Sequence, residues 1–492
     1  MSPAVISITI VAYFIILFTI SYIAGRKADN EGFFVGNRKS AWYIVAFAMI
    51  GSTISGVTFV SVPGMVQASS FSYLQMVLGF IVGQIIIAFV LVPLFYRMNL
   101  VSIYEYLENR FGSSSYKTGA WFFFISKMLG AAVRLFLVCL TLQFLIFDPF
   151  HLPFLLNVIL TVFIVWLYTF RGGVKSLIWT DVLKTFCLVV SVILCIYYIA
   201  SSLHLNFSGL ITTSGLVSTI SDSDFSKTFF FDDVNDKRYF FKQFLAGVFT
   251  VIAMNGLDQD MMQRNLSCKN FRDSQKNMIT SGISQFFVIL LFLMLGVLLY
   301  TFIAQQGIEN PGKSDELFPM IATGNYFPGI VGILFIIGLI ASAYSAAGSA
   351  LTALTTSFTV DILHAQIKGD ATLSQIRKQV HIGMAVVMGA VIFVFNLLNN
   401  TSVIDAIYTL ASYTYGPILG LFAFGIFTKK QVYDKYIPLV AIASPILCYI
   451  LQRNSEAWFN GYQISYELLL FNAAFTFIGL CFLIRKKSTM DN

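Results

Sequence analysis

Long apolar runs separated by short polar breaks fill almost the whole chain. A membrane-crossing helix needs about 20 mostly apolar residues. Thirteen stretches reach or approach that length: 4–24, 42–67, 71–98, 118–145, 153–170, 174–201, 239–264, 276–304, 328–360, 379–398, 401–428, 434–451 and 464–484. "VSIYEYLENRFG", just before the fourth stretch, predicts a short helix lying in the membrane interface. Two of the runs are interrupted from within. "AMIGSTISGVTFVSVPG" (48–64) places Gly51, Ser52, Thr53, Ser55, Gly56, Thr58, Ser61 and Pro63 inside the second run. At about 1.5 Å per residue from Trp42, Ser52 to Ser55 fall near the centre of a bilayer. "FLAGVFTVIAMNGLDQDMMQRNLSCK", from Phe244 in the seventh run, loses its apolar pattern at Asn255-Gly256. Unwound backbone in hydrocarbon is tolerable only where it lines a cavity. The small residues of the second run also suit close helix packing. The seventh run lies five after the second, so the two point in opposite directions. Paired interruptions in oppositely oriented halves are the pattern of inverted-repeat transporters. The expected architecture is therefore all-α and membrane-embedded, with about 13 crossings and two five-helix halves. One transporter domain spans 1–492, with its core at 42–428 and peripheral spans at 4–24, 434–451 and 464–484.

Composition agrees. Only 11% of the 492 residues are charged and 57% are hydrophobic, against about 25% charged in soluble domains. The net charge of +7 could suggest nucleic acid, but its placement argues otherwise. With the N-terminus outside, 22 of the 31 Lys and Arg fall on the cytoplasmic side and five on the other, as the positive-inside rule requires. The expected setting is the plasma (inner) membrane, multi-pass, with the N-terminus outside and the C-terminus cytoplasmic. The excess charge then faces anionic lipid and no nucleic acid is a partner. The first run lacks a basic leader and a cleavage site, so it reads as a span, not a signal peptide. The six cysteines and four histidines show no metal or disulfide spacing. No constellation of His, Asp and Glu supports an enzyme. The loop 202–238 reads as a surface segment without chemistry.

Several polar groups stand out in the apolar runs. Asp181 sits about 10 Å inside the sixth, where an ionisable group is costly and functional by default. Ser345, Ser349, Thr352 and Thr356 form one hydroxyl stripe on a helix. Hydroxyl, carbonyl and carboxylate oxygens suit a hard cation; small residues also suit helix packing. Lys184, one turn after Asp181, either pairs with it or lets a proton or an internal cation replace a metal ion. Arg134 in the fourth run offers a fork matched to a carboxylate, either of a solute or of an acidic residue such as Asp405. Lys127, on a similar face, is expected to snorkel toward the membrane surface.

"EGFFVGNRKSAWYIVAFAMIGSTISG", "FRGGVKSLIWTDVLK", "DQDMMQRNLSCK" and "YGPILGLFAFG" occur in order along nearly the whole chain. Together they resemble the sodium/solute symporter family. "ISGVTFVSVP" with an arginine in the fourth span is most similar to its sialic acid branch; branches with a similar motif carry monocarboxylates and vitamin acids. The resemblance implies a LeuT-like five-plus-five fold and sodium-coupled uptake of a small, carboxylate-bearing solute by alternating access. Sodium is then the coupling ion, no organic cofactor is needed, and the transport unit is a monomer. It places sodium on the carbonyls of Gly51, Ile54 and Ser342 and the hydroxyl of Ser345, although Ala346 stands where relatives usually carry a hydroxyl. A second sodium or proton site would use Asp181, Ser345 and Ser349, with Lys184 beside it, although Gly348 replaces its remaining serine. Solute contacts would come from Thr53, Ser55, Thr58, Tyr73 and Arg134, with Gln75 nearby although Val77 replaces an expected amide. Asn255, Asp258 and Gln259 are further candidates, Asp258 and Gln259 with a structural or gating role as the alternative. Other readings are symport of a neutral sugar or amino acid, proton coupling, and a non-transporting membrane sensor. The sensor is disfavoured because only "IRKKSTMDN" follows the last span.

Overall fold

The computed structural model describes residues 3–25, 42–98, 103–169, 174–203, 214–266, 268–363, 370–398 and 403–485. Each of the thirteen apolar stretches contains helix, and no strand occurs among the described residues. The helices are α1 (Pro3–Gly25), α2 (Trp42–Thr53), α3 (Gly56–Ser69), α4 (Tyr73–Met98), α5 (Glu105–Arg110), α6 (Ser113–Phe147), α7 (Phe154–Thr169), α8 (Val174–Ser202), α9 (Ser214–Ser221), α10 (Phe240–Gly256), α11 (Gln259–Asn265), α12 (Phe271–Gln306), α13 (Leu317–Thr323), α14 (Gly329–Ser357), α15 (Asp370–Leu398), α16 (Val403–Phe427), α17 (Ile437–Trp458) and α18 (Leu468–Phe482). Among the described residues, eight helices are long and apolar enough to cross a membrane, and α7, α10 and α18 contain shorter apolar helices.

Both expected interruptions are present. The second run stops at Thr53, and Ile54 and Ser55 are non-helical. Ser55 is extended (φ −81°, ψ 166°), and its hydroxyl accepts from the Thr58 N–H at 3.4 Å to start α3. A short polar side chain at this place competes for backbone bonds and so favours the break. The seventh run widens to a π-turn over Ile252–Gly256 and breaks at Leu257 and Asp258, just beyond the Asn255-Gly256 pair that flags it. Asp258 is extended and accepts from the Met261 N–H at 3.1 Å to start α11. Each half thus has a broken helix restarted by a side-chain N-cap.

The halves are pressed together through glycines. Gly79 and Gly83 of α4 lie against the backbone of α10, and a Cβ on Gly247 would collide with the Met76 carbonyl. A Cβ on Gly296 of α12 would meet the Pro63 carbonyl at 2.5 Å, and Tyr300 donates to the Gly64 carbonyl at 2.6 Å. Phe59 anchors α3 among Phe292, Phe318 and Phe335, with ring centroids 5.0–5.9 Å away. Overpacking such a contact costs about 1–3 kcal/mol. Gly247→Ala is therefore expected to lower the melting temperature of the detergent-solubilised protein by several degrees. Gly312→Ala, where a Cβ meets nothing within 4 Å, is expected to leave it in place. Equal melting of the two variants would refute the close approach.

Two expectations about the surface change. Ile103, Tyr104, Tyr106 and Leu107 around α5 are buried, and Arg110 donates to the Gly425, Thr428 and Lys430 carbonyls at 2.8–3.3 Å. Residues 103–112 thus brace the end of α16. The 214–238 part of the loop is docked as well as exposed, because Phe71 N–H donates to the Lys227 carbonyl and Phe230 is buried.

Candidate functional site

Between the two breaks lies a cavity. Its walls include Thr53, Ser55 and Thr58 from the first interruption, Thr250, Asn255 and Asp258 from the second, Lys127 and Arg134 from α6, Gln285 from α12, and Tyr408 and Tyr415 from α16. Phe80, Met254, Ile404 and Ile407 supply much of its apolar lining. It holds about 970 Å³ of atom-free space, the open solvent at its mouth included. Thr53, Ser55, Thr58, Arg134 and Asn255 are therefore brought together. The Ser55 and Thr58 hydroxyls lie 3.4 Å apart, and Thr53 donates to the Met49 carbonyl at 3.0 Å.

Arg134 has no carboxylate within 4 Å among the described residues. The alternative partner, Asp405, instead accepts from the Tyr466 hydroxyl. The guanidinium lies near the hydroxyls of Tyr408 and Tyr415 and has open space over Gly130. A fixed cation facing a cavity of hydroxyls and an amide can receive an anion.

Three expected solute contacts lie elsewhere. Gln75 is fully buried; its amide donates to the Arg238 carbonyl at 2.8 Å and accepts from the Phe230 N–H at 3.1 Å. It clamps the 202–238 loop instead of lining the cavity. Gln259 accepts from the Ile103 N–H at 2.8 Å and ties α11 to the segment before α5. Tyr73 is buried behind the wall; its hydroxyl bonds that of Tyr408 at 2.6 Å, and only Tyr408 reaches the cavity. In each case a long-range partner captured a side chain whose local spacing suited the cavity.

Lys127 shows the opposite error. It does not snorkel but is buried, with Nζ 3.1 Å from both carboxylate oxygens of Asp258 and 3.1 Å from Asp260. The Tyr415 hydroxyl donates to Asp258 at 2.8 Å. Asp260 lies 3.5 Å from the Arg264 guanidinium, which donates to Ser349 at 2.7 Å; Ser349 donates to Asp260 at 3.0 Å. The ions of "DQDMMQR" thus pair with each other and with Lys127.

Of the expected main sodium ligands, Gly51 and Ile54 lie at the first break and Ser342 lies beside its restart. Gly51, Ile54, Ser342 and Ser345 are buried. A Cβ on Gly56 would lie 3.6 Å from the Ser342 Cβ, so α14 abuts the restart of α3. The last carbonyls of α2 have no helical donor beyond Thr53. The Ser342 hydroxyl is buried with no hydrogen-bond partner. Such oxygens fit a hard cation. For the second site, Lys184 is buried and Ser349 is engaged by Arg264 and Asp260. The side chains of Asp181 and Thr356 lie outside the described residues.

Residues 33–433 match the model of the sodium:solute symporter family. The chain is 27% identical to the sodium/sialic acid symporter NanT of Aliivibrio fischeri, over 83% of this chain and 80% of that one. It is 24% identical to sodium-coupled monocarboxylate transporter 1 of Mus musculus, over 82% of this chain and 66% of that one. The solved substrate-bound, outward-open structure of a Na+-coupled sialic acid symporter shares the fold, with a TM-score of 0.78, 20% identity and 97% of both chains covered. The matched residues take in both interrupted helices and every wall of the cavity, and on that match the chain belongs to the sodium:solute symporter family.

Proposed function

We propose that the chain is a secondary active transporter that moves a small carboxylate-bearing solute, a sialic acid or another organic anion, together with sodium. The observation that carries the reading is the Arg134 guanidinium, free of any carboxylate among the described residues, in a cavity between two broken helices. The solute carboxylate takes the Arg134 fork, and Thr53, Ser55, Thr58 and Asn255 bond its polar groups. Sodium takes the carbonyls of Gly51, Ile54 and Ser342 with the Ser345 hydroxyl, and so stabilises the break that shapes the cavity. Ion and solute share one interruption, which couples their binding. The halves then rock about the site in a thirteen-span monomer within the plasma membrane, its N-terminus outside. The relatives that carry sialic acid and monocarboxylates support an anionic solute.

Purified protein in liposomes tests this. Labelled N-acetylneuraminate, a sialic acid, and lactate are expected to accumulate, one or both, under an inward sodium gradient and not under potassium. Uptake that ignores sodium and follows a pH gradient would replace sodium by protons. Ser345→Ala removes one ligand oxygen and is expected to raise the half-activating sodium concentration about tenfold, taking a charge-assisted contact at about 1.5–3 kcal/mol. An unaltered sodium curve removes Ser345 from the ion site.

A further inference from the structure

The anionic reading leaves one cavity residue without a task. Gln285 lies in α12, directly before its long apolar run 286–299. It is 7% exposed, it lines the cavity, and its Oε1 is buried with no hydrogen-bond partner. A buried polar atom left without a partner costs free energy, which a ligand that bonds it would recover. The other two glutamines considered above are satisfied by backbone groups; this one is not.

Its position sets what it can read. Gln285 is on α12 and Arg134 on α6, helices that do not pack closely on each other, and both residues line the cavity. The polar groups from α10, Thr250 and Asn255, are neutral, and Asp258 is committed to Lys127 and Tyr415. No second charge is thus offered to the solute away from Arg134, only groups that donate and accept. We infer that Gln285 is a specificity-determining residue whose amide hydrogen-bonds a hydroxyl or amide of the solute, so that the site takes hydroxylated or amidated carboxylates and rejects plain aliphatic or alicyclic ones. The inference rests on the anionic reading for the Arg134 end alone. An apolar acid filling the cavity would leave the Gln285 amide unpaired, and sites built to hydrogen-bond a solute discriminate strongly against analogues lacking the group.

Binding to the full-length purified protein in sodium is read as ligand-induced thermal stabilisation, titrated to apparent Kd. The probes are N-acetylneuraminate and gluconate against cyclohexanecarboxylate and hexanoate. The wild type is expected to bind the better hydroxylated acid at least about tenfold more tightly than either apolar acid. Gln285→Leu, similar in shape and apolar, is expected to shrink that ratio about tenfold or more. Gln285→Asn, which keeps an amide on a shorter stem, should shrink it less. Equal or tighter wild-type binding of the apolar acids, no binding of either hydroxylated acid, or an unmoved ratio in Gln285→Leu overturns the assignment. If Gln285→Leu does not fold, the wild-type panel and Gln285→Asn decide it. Failure of the anionic reading is separately visible: Arg134→Ala would then bind the acids as the wild type does, while the Gln285 effect would persist.

Discussion

Arg134→Ala reduces sodium-driven uptake of carboxylate solutes by about a hundredfold or more. The expectation follows from what the guanidinium lacks. No carboxylate among the described residues balances it, and it faces a cavity whose other lining groups are hydroxyls, amides and apolar side chains, apart from the engaged Lys127–Asp258 pair. A bidentate charged contact is worth about 1.5–3 kcal/mol or more, and each 1.4 kcal/mol is about tenfold. Arg134→Lys keeps the charge but loses the planar fork, and should fall between wild type and alanine. The check is initial uptake of a labelled carboxylate into liposomes at fixed sodium gradient, with sodium binding followed in parallel by thermal stabilisation. Loss of uptake with sodium stabilisation retained places Arg134 on the solute. Full uptake by Arg134→Ala removes the anion assignment.

Asp258→Ala is expected to destabilise the protein by about 1–3 kcal/mol, because the buried Lys127 ammonium and Tyr415 hydroxyl lose an acceptor while Lys127 keeps Asp260 at 3.1 Å. Asp258 takes both 3.1 Å contacts from Lys127, the 2.8 Å bond from Tyr415 and the cap bond from Met261. Its side chain is 4% and that of Lys127 7% exposed. Asp258→Asn keeps the cap and removes the charge, isolating the ion-pair part. Lys127→Met strands the carboxylate instead. The double variant Lys127→Met, Asp258→Asn removes both stranded charges and should melt closer to wild type than Lys127→Met alone. Strict additivity of the two losses in melting temperature would mean that the contact carries no coupling energy.

The two residues illustrate what one dimension of information can hold. Arg134 stands out in the sequence because a side chain that cannot lose its proton is conspicuous in an apolar run, whatever surrounds it. Lys127 looks the same locally, yet its partner lies 131 positions away, and spacing along α6 cannot choose between a carboxylate and the membrane surface. Gln75 and Gln259 fit the right helices, but a loop 155 positions on from Gln75 and a backbone N–H 156 positions from Gln259 claim their amides. Gln285 was hidden for the same reason: one amide in a long apolar helix announces cost, not direction.

The sequence by itself determined the all-helical class, the places where two helices break, and the family. Lipid allows so few solutions for unpaired backbone that Gly, Ser, Thr and Asn in an apolar run already say where winding stops. Only the tertiary structure decided which polar side chains meet. It turned Lys127 and Asp258 toward each other, left Arg134 and Gln285 facing a shared space, and withdrew Tyr73 behind Tyr408. Those outcomes depend on how far each helix is rotated about its axis, and that rotation is set by glycine-mediated packing such as Gly247 on Met76, between segments distant in the chain.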